Sequence, residues 1–197
     1  ECSSAASDVY KRQLDGRVKV NGNTINSPAL NLSKKDAIEV DGKLLSQPEE
    51  TRLWIYHKPV GLISTSKDEK NRQTIFDNLP KEMPRVLSIG RLDLNSEGLL
   101  LLTNDGELKR CLELPSTGWL RRYRVRVKGR LKDSMLEPLR QGIFVEGTHF
   151  KPMEVSFDRQ TGANAWLSIG LREGKNREIR KALGFLGLSV SRLLRIS

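Results

Sequence analysis

Apolar and polar positions alternate early in the chain. From Asp15 onward, Val18 and Val20 are interleaved with Arg17 and Lys19, and Asn21-Gly22 follows. Period-2 alternation that ends on Asn-Gly predicts a β-hairpin, here with its basic side chains on one face. "DAIEVDGKLL" repeats the pattern with an Asp41-Gly42 turn. Ahead of both, "SDVYKRQL" predicts a helix capped by Ser7, its basic residues exposed. Residues 1–47 therefore read as one small unit. The polar, proline-bearing stretch "SQPEETR" reads as a linker, placed at residues 48–52, and residues 53–197 as a larger second unit.

In the second unit, "RLWIYHKPVGLIST" gives two apolar, strand-like runs interrupted by Pro59 and Gly61. Residues 67–73 are a charged loop by composition, and "QTIFDNLP" is a short helix or turn. Leu99 to Leu102 carry no alternation, which fits a strand buried on both faces or a short buried helical segment. The shortness of the run and the flanking turn residues, Asn95-Ser96 and Asn104-Asp105-Gly106, favour the strand. Asp93 then lies in a loop that delivers a carboxylate to the edge of a rigid element. That position suits a catalytic group, and it suits a turn-former equally. "DGELKRCLEL" has helical spacing, with Leu108, Cys111 and Leu112 on one face.

"RRYRVRVKGR", Arg121 to Arg130, is the clearest strand. Tyr123, Val125 and Val127 share one face, and Arg122, Arg124, Arg126 and Lys128 share the other. The basic stripe is either a solvated face or one that meets phosphates. Near the end, Leu167, Ile169 and Leu171 alternate, a Glu173-Gly174-Lys175-Asn176 turn follows, and Asn176 is placed to cap a helix. Ile179, Ala182, Leu183 and Leu186 form that helix's buried stripe. Arg177, Arg180 and Lys181 gather on another flank, against the helix dipole, as a solvated face or as a seat for an anion.

Charge narrows the partner. The 197 residues carry 34 Lys and Arg against 24 Asp and Glu, a net +10, which points to a polyanion, nucleic acid first. No apolar run approaches the roughly 20 residues that span a bilayer, and no signal peptide is evident, so no membrane partner is expected. Cys2 and Cys111 make no motif, which suits a reducing cytoplasm. His57 and His149 lack metal-ligand spacing, and each is read as structural. There is neither a zinc-deaminase signature nor a phosphate-binding P-loop, so neither a metal nor a nucleotide cofactor is expected.

Four stretches in order, "YHKPVGLIST", "GRLDLNSEGLLLLTNDG", "YRVRVKG" and "EGKNREIRKAL" with "LGLSVSRLLRI", resemble the RsuA/RluB-type ribosomal RNA pseudouridine synthases. The first unit resembles an S4 RNA-binding module whose first helix is missing. The resemblance implies an α/β (α+β) fold: a catalytic domain with a mixed, largely antiparallel sheet flanked by helices, preceded by the S4-like module. It implies isomerisation of a uridine in ribosomal RNA without any cofactor, with a lean toward large-subunit RNA. The cysteine usage leads us to expect a cytoplasmic protein, and the lack of an exposed apolar stripe a monomer. Asp93 becomes the catalytic carboxylate, acting on a uridine flipped from its stack. Tyr123 would pack on the flipped base and serve in proton transfer. Arg180 would pair with Asp93, and Arg91 would fill the vacated space. Lys175, Arg177, Arg17, Lys19 and Lys58 are carried over as RNA contacts. Two other readings stand beside this one: a non-catalytic RNA-binding or ribosome-assembly protein, and carbohydrate hydrolysis by paired carboxylates, with Glu97 the nearest second acid.

Overall fold

Two left-handed turns organise the first unit. Asn21 (φ 50°) with Gly22 (φ 81°), and Asp41 (φ 55°) with Gly42 (φ 74°), adopt the positive φ values that two-residue hairpins require. They join β1 (Val18–Val20) to β2 (Asn23–Thr24) and β3 (Ile38–Val40) to β4 (Lys43–Leu44). The four strands form one sheet in the order β2-β1-β3-β4. Val18 and Val20 are buried while Lys19 is exposed, as the alternation predicts. The computed structural model describes residues 11–27, 30–33, 35–45, 49–65, 68 and 70–197. Residues 11–14 are helical, whereas the Ser7 cap and Cys2 lie outside the described residues. The chain divides into two units, Glu1–Glu50 and Thr51–Ser197.

The second unit is built on a seven-stranded sheet. Its strands are β5 (Leu53–Lys58), β6 (Leu87–Ile89), β7 (Glu97–Thr103), β8 (Arg121–Lys128), β11 (Glu154–Thr161), β12 (Asn164–Leu171) and β13 (Ser189–Arg195). The order is β11-β12-β8-β13-β7-β5, with β6 also paired to β7. Every pairing is antiparallel except β13 with β7. One edge of β7 is thus shared, by β13 at Glu97–Gly98 and by β6 at Leu101–Thr103. A separate hairpin pairs β9 (Ile143–Val145) with β10 (Thr148–Phe150). Three α-helices complete the unit: α1 (Gly106–Glu113), α2 (Glu137–Gln141) and α3 (Glu178–Phe185).

Two apolar clusters form the core. The larger joins Val125 and Val127 of β8 and Leu167 and Ile169 of β12 to Leu139 of α2 and Leu183 of α3. The smaller packs Leu100 and Leu102 of β7 against Leu62, Ile75, Val86 and Leu92. Tyr123 packs against both clusters, so it stands at their seam.

Several sequence expectations are corrected in detail. β7 is a strand, yet of its four leucines only Leu100 and Leu102 are fully buried, and Leu99 and Leu101 are half-buried. The face they share with the exposed Ile55 of β5 is incompletely covered. The second apolar run after Pro59 is not a strand: its Ile63 makes a single parallel bridge to Thr74. "QTIFDNLP" contributes a 3-10 turn, Phe76–Asn78. Helix α1 forms, but Cys111 on its expected inner face is exposed. Helix α3 is preceded at its cap by Arg177 rather than Asn176, and no side chain caps it.

Candidate active site

The segment between β6 and β7 carries Arg91 and Asp93, and its shape is fixed from below. Leu92 is buried, and Ser64 brackets it, donating to its carbonyl and accepting from its N–H, both at 3.1 Å. The next residue, Asp93, is only partly buried. Its carbonyl accepts from the N–H of Ser96 at 3.0 Å, closing a turn. The Lys58 ammonium completes the support by donating to three main-chain oxygens: Pro59 at 2.9 Å, Asp93 at 3.1 Å and Ser96 at 2.8 Å. Lys58 has no exposed surface. Burial lowers its pKa, and the nearby negative charges of Asp93 and Glu97 act in the other direction.

A large open cleft of about 1610 Å³ lies over this loop, lined by Arg91, Asp93, Tyr123, Lys175, Arg177 and Arg180 among others. The topology brings these residues together from three places far apart in the chain. Tyr123 sits on β8 directly across from Arg195 of β13. Burial raises its pKa, keeping the phenol protonated, while the positive charges of Arg195 and Arg121 partly offset that effect. Arg195, which also lines the cleft, donates through Nε to the Ser197 carbonyl at 3.0 Å. Arg180 spans from α3 to the Asp93 loop: its Nη2 donates to the Asn95 carbonyl at 2.7 Å and its Nη1 to the Val190 carbonyl at 3.3 Å. The expected fork onto the Asp93 carboxylate is thus spent on main-chain oxygens. Asp93 acts on Arg180 through charge, favouring the cation against burial, the dominant influence, and against repulsion from Arg177.

The loop before α3 closes the third side. Arg177 is left-handed (φ 52°), a conformation uncommon for a residue with a side chain and concentrated at functional sites. Lys175 turns back onto its own loop, donating to the His149 carbonyl and pairing with Glu173 at 2.9 Å. Glu178, only 3% exposed, accepts from the Lys175 N–H at 3.0 Å. Burial, and after it the neighbouring Glu173, raise the Glu178 pKa to about 7, well above the ordinary carboxylate range.

The remaining expectations divide. Lys58 is corrected: its burial removes it from any RNA surface and makes it the anchor of the Asp93 loop. Arg17 is exposed but forms a two-pronged pair with Asp41, with Nη2 to Oδ2 at 2.9 Å, while Lys19 is exposed on β1. Glu97 pairs with Arg192 and does not line the cleft, which removes the nearest partner for a two-carboxylate glycosidase. Sequence reasoning missed Ser64, Arg195, Glu173 and Glu178. The "EGKNRE" spacing held a signal for the last two, since Glu178 follows Lys175 by three residues and can reach its N–H. Among the described residues, no group of three or more His, Cys, Asp or Glu is arranged to hold a metal ion. No helix among them is long and apolar enough to cross a membrane.

A mixed sheet thus brings a half-exposed carboxylate, a partly buried tyrosine and converging arginines over one cleft, an arrangement suited to an α+β enzyme with an anionic substrate. Residues 52–184 match the family model for RNA pseudouridylate synthase. The chain is 49% identical over 189 residues to a Rickettsia felis protein named an uncharacterized RNA pseudouridine synthase, covering 96% of this chain and 82% of that protein. It is 41% identical over 198 residues to the ribosomal large subunit pseudouridine synthase B of Pseudomonas aeruginosa, covering 96% of this chain and 50% of that protein. A crystal structure of a pseudouridylate synthase superposes with a TM-score of 0.66 at 24% identity, over 97% of this chain and 81% of the other, which shows the shared fold. The chain belongs to the RNA pseudouridine synthase family, in its RsuA/RluB-type branch, and is an isomerase acting on RNA.

Proposed function

We propose that the protein converts a specific uridine of ribosomal RNA into pseudouridine, with Asp93 as the catalytic carboxylate. The observation that carries this is the anchoring of Asp93 at the cleft rim by Lys58 and Ser64, with Tyr123 and Arg180 beside it. A carboxylate held in that way is ready to act at the ribose, as nucleophile on carbon 1′ or as base on carbon 2′. In either route the bond from N1 to carbon 1′ breaks, the uracil turns, carbon 5 bonds to carbon 1′, the hydrogen on carbon 5 leaves as a proton, and N1 takes up a proton. The uridine must first leave its stack, at a cost of a few kcal/mol. Arg91, exposed at the rim, fills the gap left by the base. Tyr123 packs against the base and, its phenol protonated, serves the proton transfers. Arg180, with Arg177 beside it, supplies positive charge near the carboxylate.

The first unit, residues 1–47 followed by a linker, acts as an S4-like RNA-holding module, and Lys19 on its exposed face supports that role. The name of the Pseudomonas relative supports large-subunit RNA as the substrate. The protein works as a monomer in the cytoplasm, where that RNA is made. Tritium release from ribosomal RNA labelled at uridine carbon 5 tests the reading directly. The wild type releases tritium, and Asp93→Asn lowers the rate at least about 10³-fold while RNA affinity stays within about twofold. Unchanged release by Asp93→Asn would remove Asp93 from the chemistry.

A further inference from the structure

Tyr123 and Arg124 are neighbours on β8, so they point to opposite faces of the sheet. Tyr123 faces the cleft, and the face behind it holds a row set up by two β-bulges. In β11 the register shifts between Phe157 and Arg159, and in β13 between Val190 and Arg192. Each shift advances its strand by one residue, bringing Arg159 opposite Trp166 and Arg192 opposite Arg126. Trp166 and Arg126 are themselves partners across β12 and β8. Directly opposed residues in antiparallel strands share a face, so Arg159, Trp166, Arg126 and Arg192 stand side by side across four strands. At the usual strand spacing the row is about 14 Å long. Without the bulges, Asp158 and Ser191 would hold the two outer positions.

Arg124 and Arg126 on this face are held against Trp166. The Arg124 and Arg126 guanidiniums lie 5.3 and 5.9 Å from the Trp166 ring centre. Arg126 also donates through Nε to the Ser191 hydroxyl at 3.0 Å. Arg192 is neutralised by Glu97, but among the described residues no carboxylate pairs with Arg124, Arg126 or Arg159. None of these arginines lines the cleft. Planar guanidiniums already ordered against an aromatic ring lose little further freedom on meeting phosphates.

We propose that this face is a second RNA-docking surface, which holds a segment of the substrate RNA other than the one entering the cleft. The proposal rests on the family's action on RNA and adds where a long substrate is gripped. Phosphates match the three unpaired guanidiniums in charge and geometry, and the net +10 of the chain draws the same partner.

The test compares the wild type with the triple variant Arg124→Gln/Arg126→Gln/Arg159→Gln by filter binding, across a salt series. Two RNAs are used: intact large-subunit ribosomal RNA and short uridine-containing stem-loops. On intact RNA, the slope of log affinity against log salt becomes shallower by about 2 to 3 in the variant. The half-saturation concentration near ~0.15 M salt rises at least about tenfold, while stem-loop binding changes little. A control, Arg110→Gln/Lys132→Gln, removes two exposed charges elsewhere and leaves the slope near that of the wild type. An unchanged slope on intact RNA overturns the proposal and leaves an acidic protein as the partner of this face. Equal losses on both RNAs, or an equal loss per charge in the control, overturn it as well. Should the triple variant fail to fold, Arg124→Gln and Arg159→Gln singly each reduce the slope by about 1. Tritium release by the wild type on the same RNA is read in parallel. A failure of the isomerase reading shows there, and a failure of the docking surface shows in the slope.

Discussion

Replacing Lys58 with methionine keeps most of its volume but removes the ammonium that donates to the Pro59 and Ser96 carbonyls, and one of the two donors to the Asp93 carbonyl. We expect a loss of about 2–4 kcal/mol, measured by urea unfolding, because buried acceptors stripped of partners keep their desolvation cost. Turnover should fall further than RNA affinity, since the Asp93 loop is what the ammonium holds. Glu178 gives a pH-dependent counterpart. Its pKa is raised to about 7 in the fold, above its ordinary value of 4.5, so between those pH values the folded chain binds more protons than the unfolded one. The stability it contributes is complete below about pH 4.5 and is lost as pH rises through about 7. Glu178→Gln removes that dependence and makes the protein more stable than wild type at pH 8 by about 1–3 kcal/mol, read from unfolding curves at pH 5 and pH 8. Asp93 and Tyr123 could be picked from the sequence because each stands in a motif or on a clear face. Lys58 could not: a lysine before proline reads as exposed, and only the fold supplies the three carbonyls that make its burial tolerable.

The elements that local rules specify well are those whose partners are near in sequence. Asp105 caps α1, accepting from the Glu107 N–H at 2.8 Å and the Leu108 N–H at 3.1 Å, and it also accepts from the Thr51 hydroxyl at 2.6 Å. Asp105→Ala should cost about 1–2 kcal/mol by thermal or urea unfolding. The β8 strand likewise announced itself through strict alternation from Arg122 to Lys128. Gly98 is the opposite case. It opens the leucine strand at φ 107°, where an added Cβ would run into the Arg195 main chain of β13. Gly98→Ala should destabilise the domain by more than about 3 kcal/mol, because the obstruction is backbone and the conformation is strained for any L side chain. In the sequence this glycine reads as a turn residue, since β13 reaches it only from the far end of the chain. The bulges at Phe157/Arg159 and Val190/Arg192 are illegible for the same reason: an extra residue in a strand is defined by the partner it fails to meet.

Across the whole molecule, charge and topology do different work. The net +10 should make RNA affinity fall steeply with salt, as a linear plot of log affinity against log salt in filter binding. A flat plot would mean that the surplus cations do not meet phosphates. Topology decides where those cations go. The parallel pairing of β13 with the start of β7 sets the final strand beside the Asp93 loop, so that loop, Tyr123 and the α3 loop converge on one cleft. Tyr123, the residue common to both core clusters, lies at that convergence.

The sequence by itself determined the hairpin unit, the leucine strand, the basic β8 and the final helix, because periodicity and turn chemistry act over a few residues. It also determined the polyanionic partner, since net charge needs no fold, and its motifs carried the family. Only the tertiary structure decided that Lys58 is an anchor, that Glu178 is buried with a raised pKa, and that Arg180 grips the Asn95 carbonyl. It alone turned the Tyr123 face of β8 toward the cleft and left Arg124 and Arg126 on the face away from it. Those outcomes depend on burial and on contacts between residues up to 85 positions apart, and no local pattern encodes them.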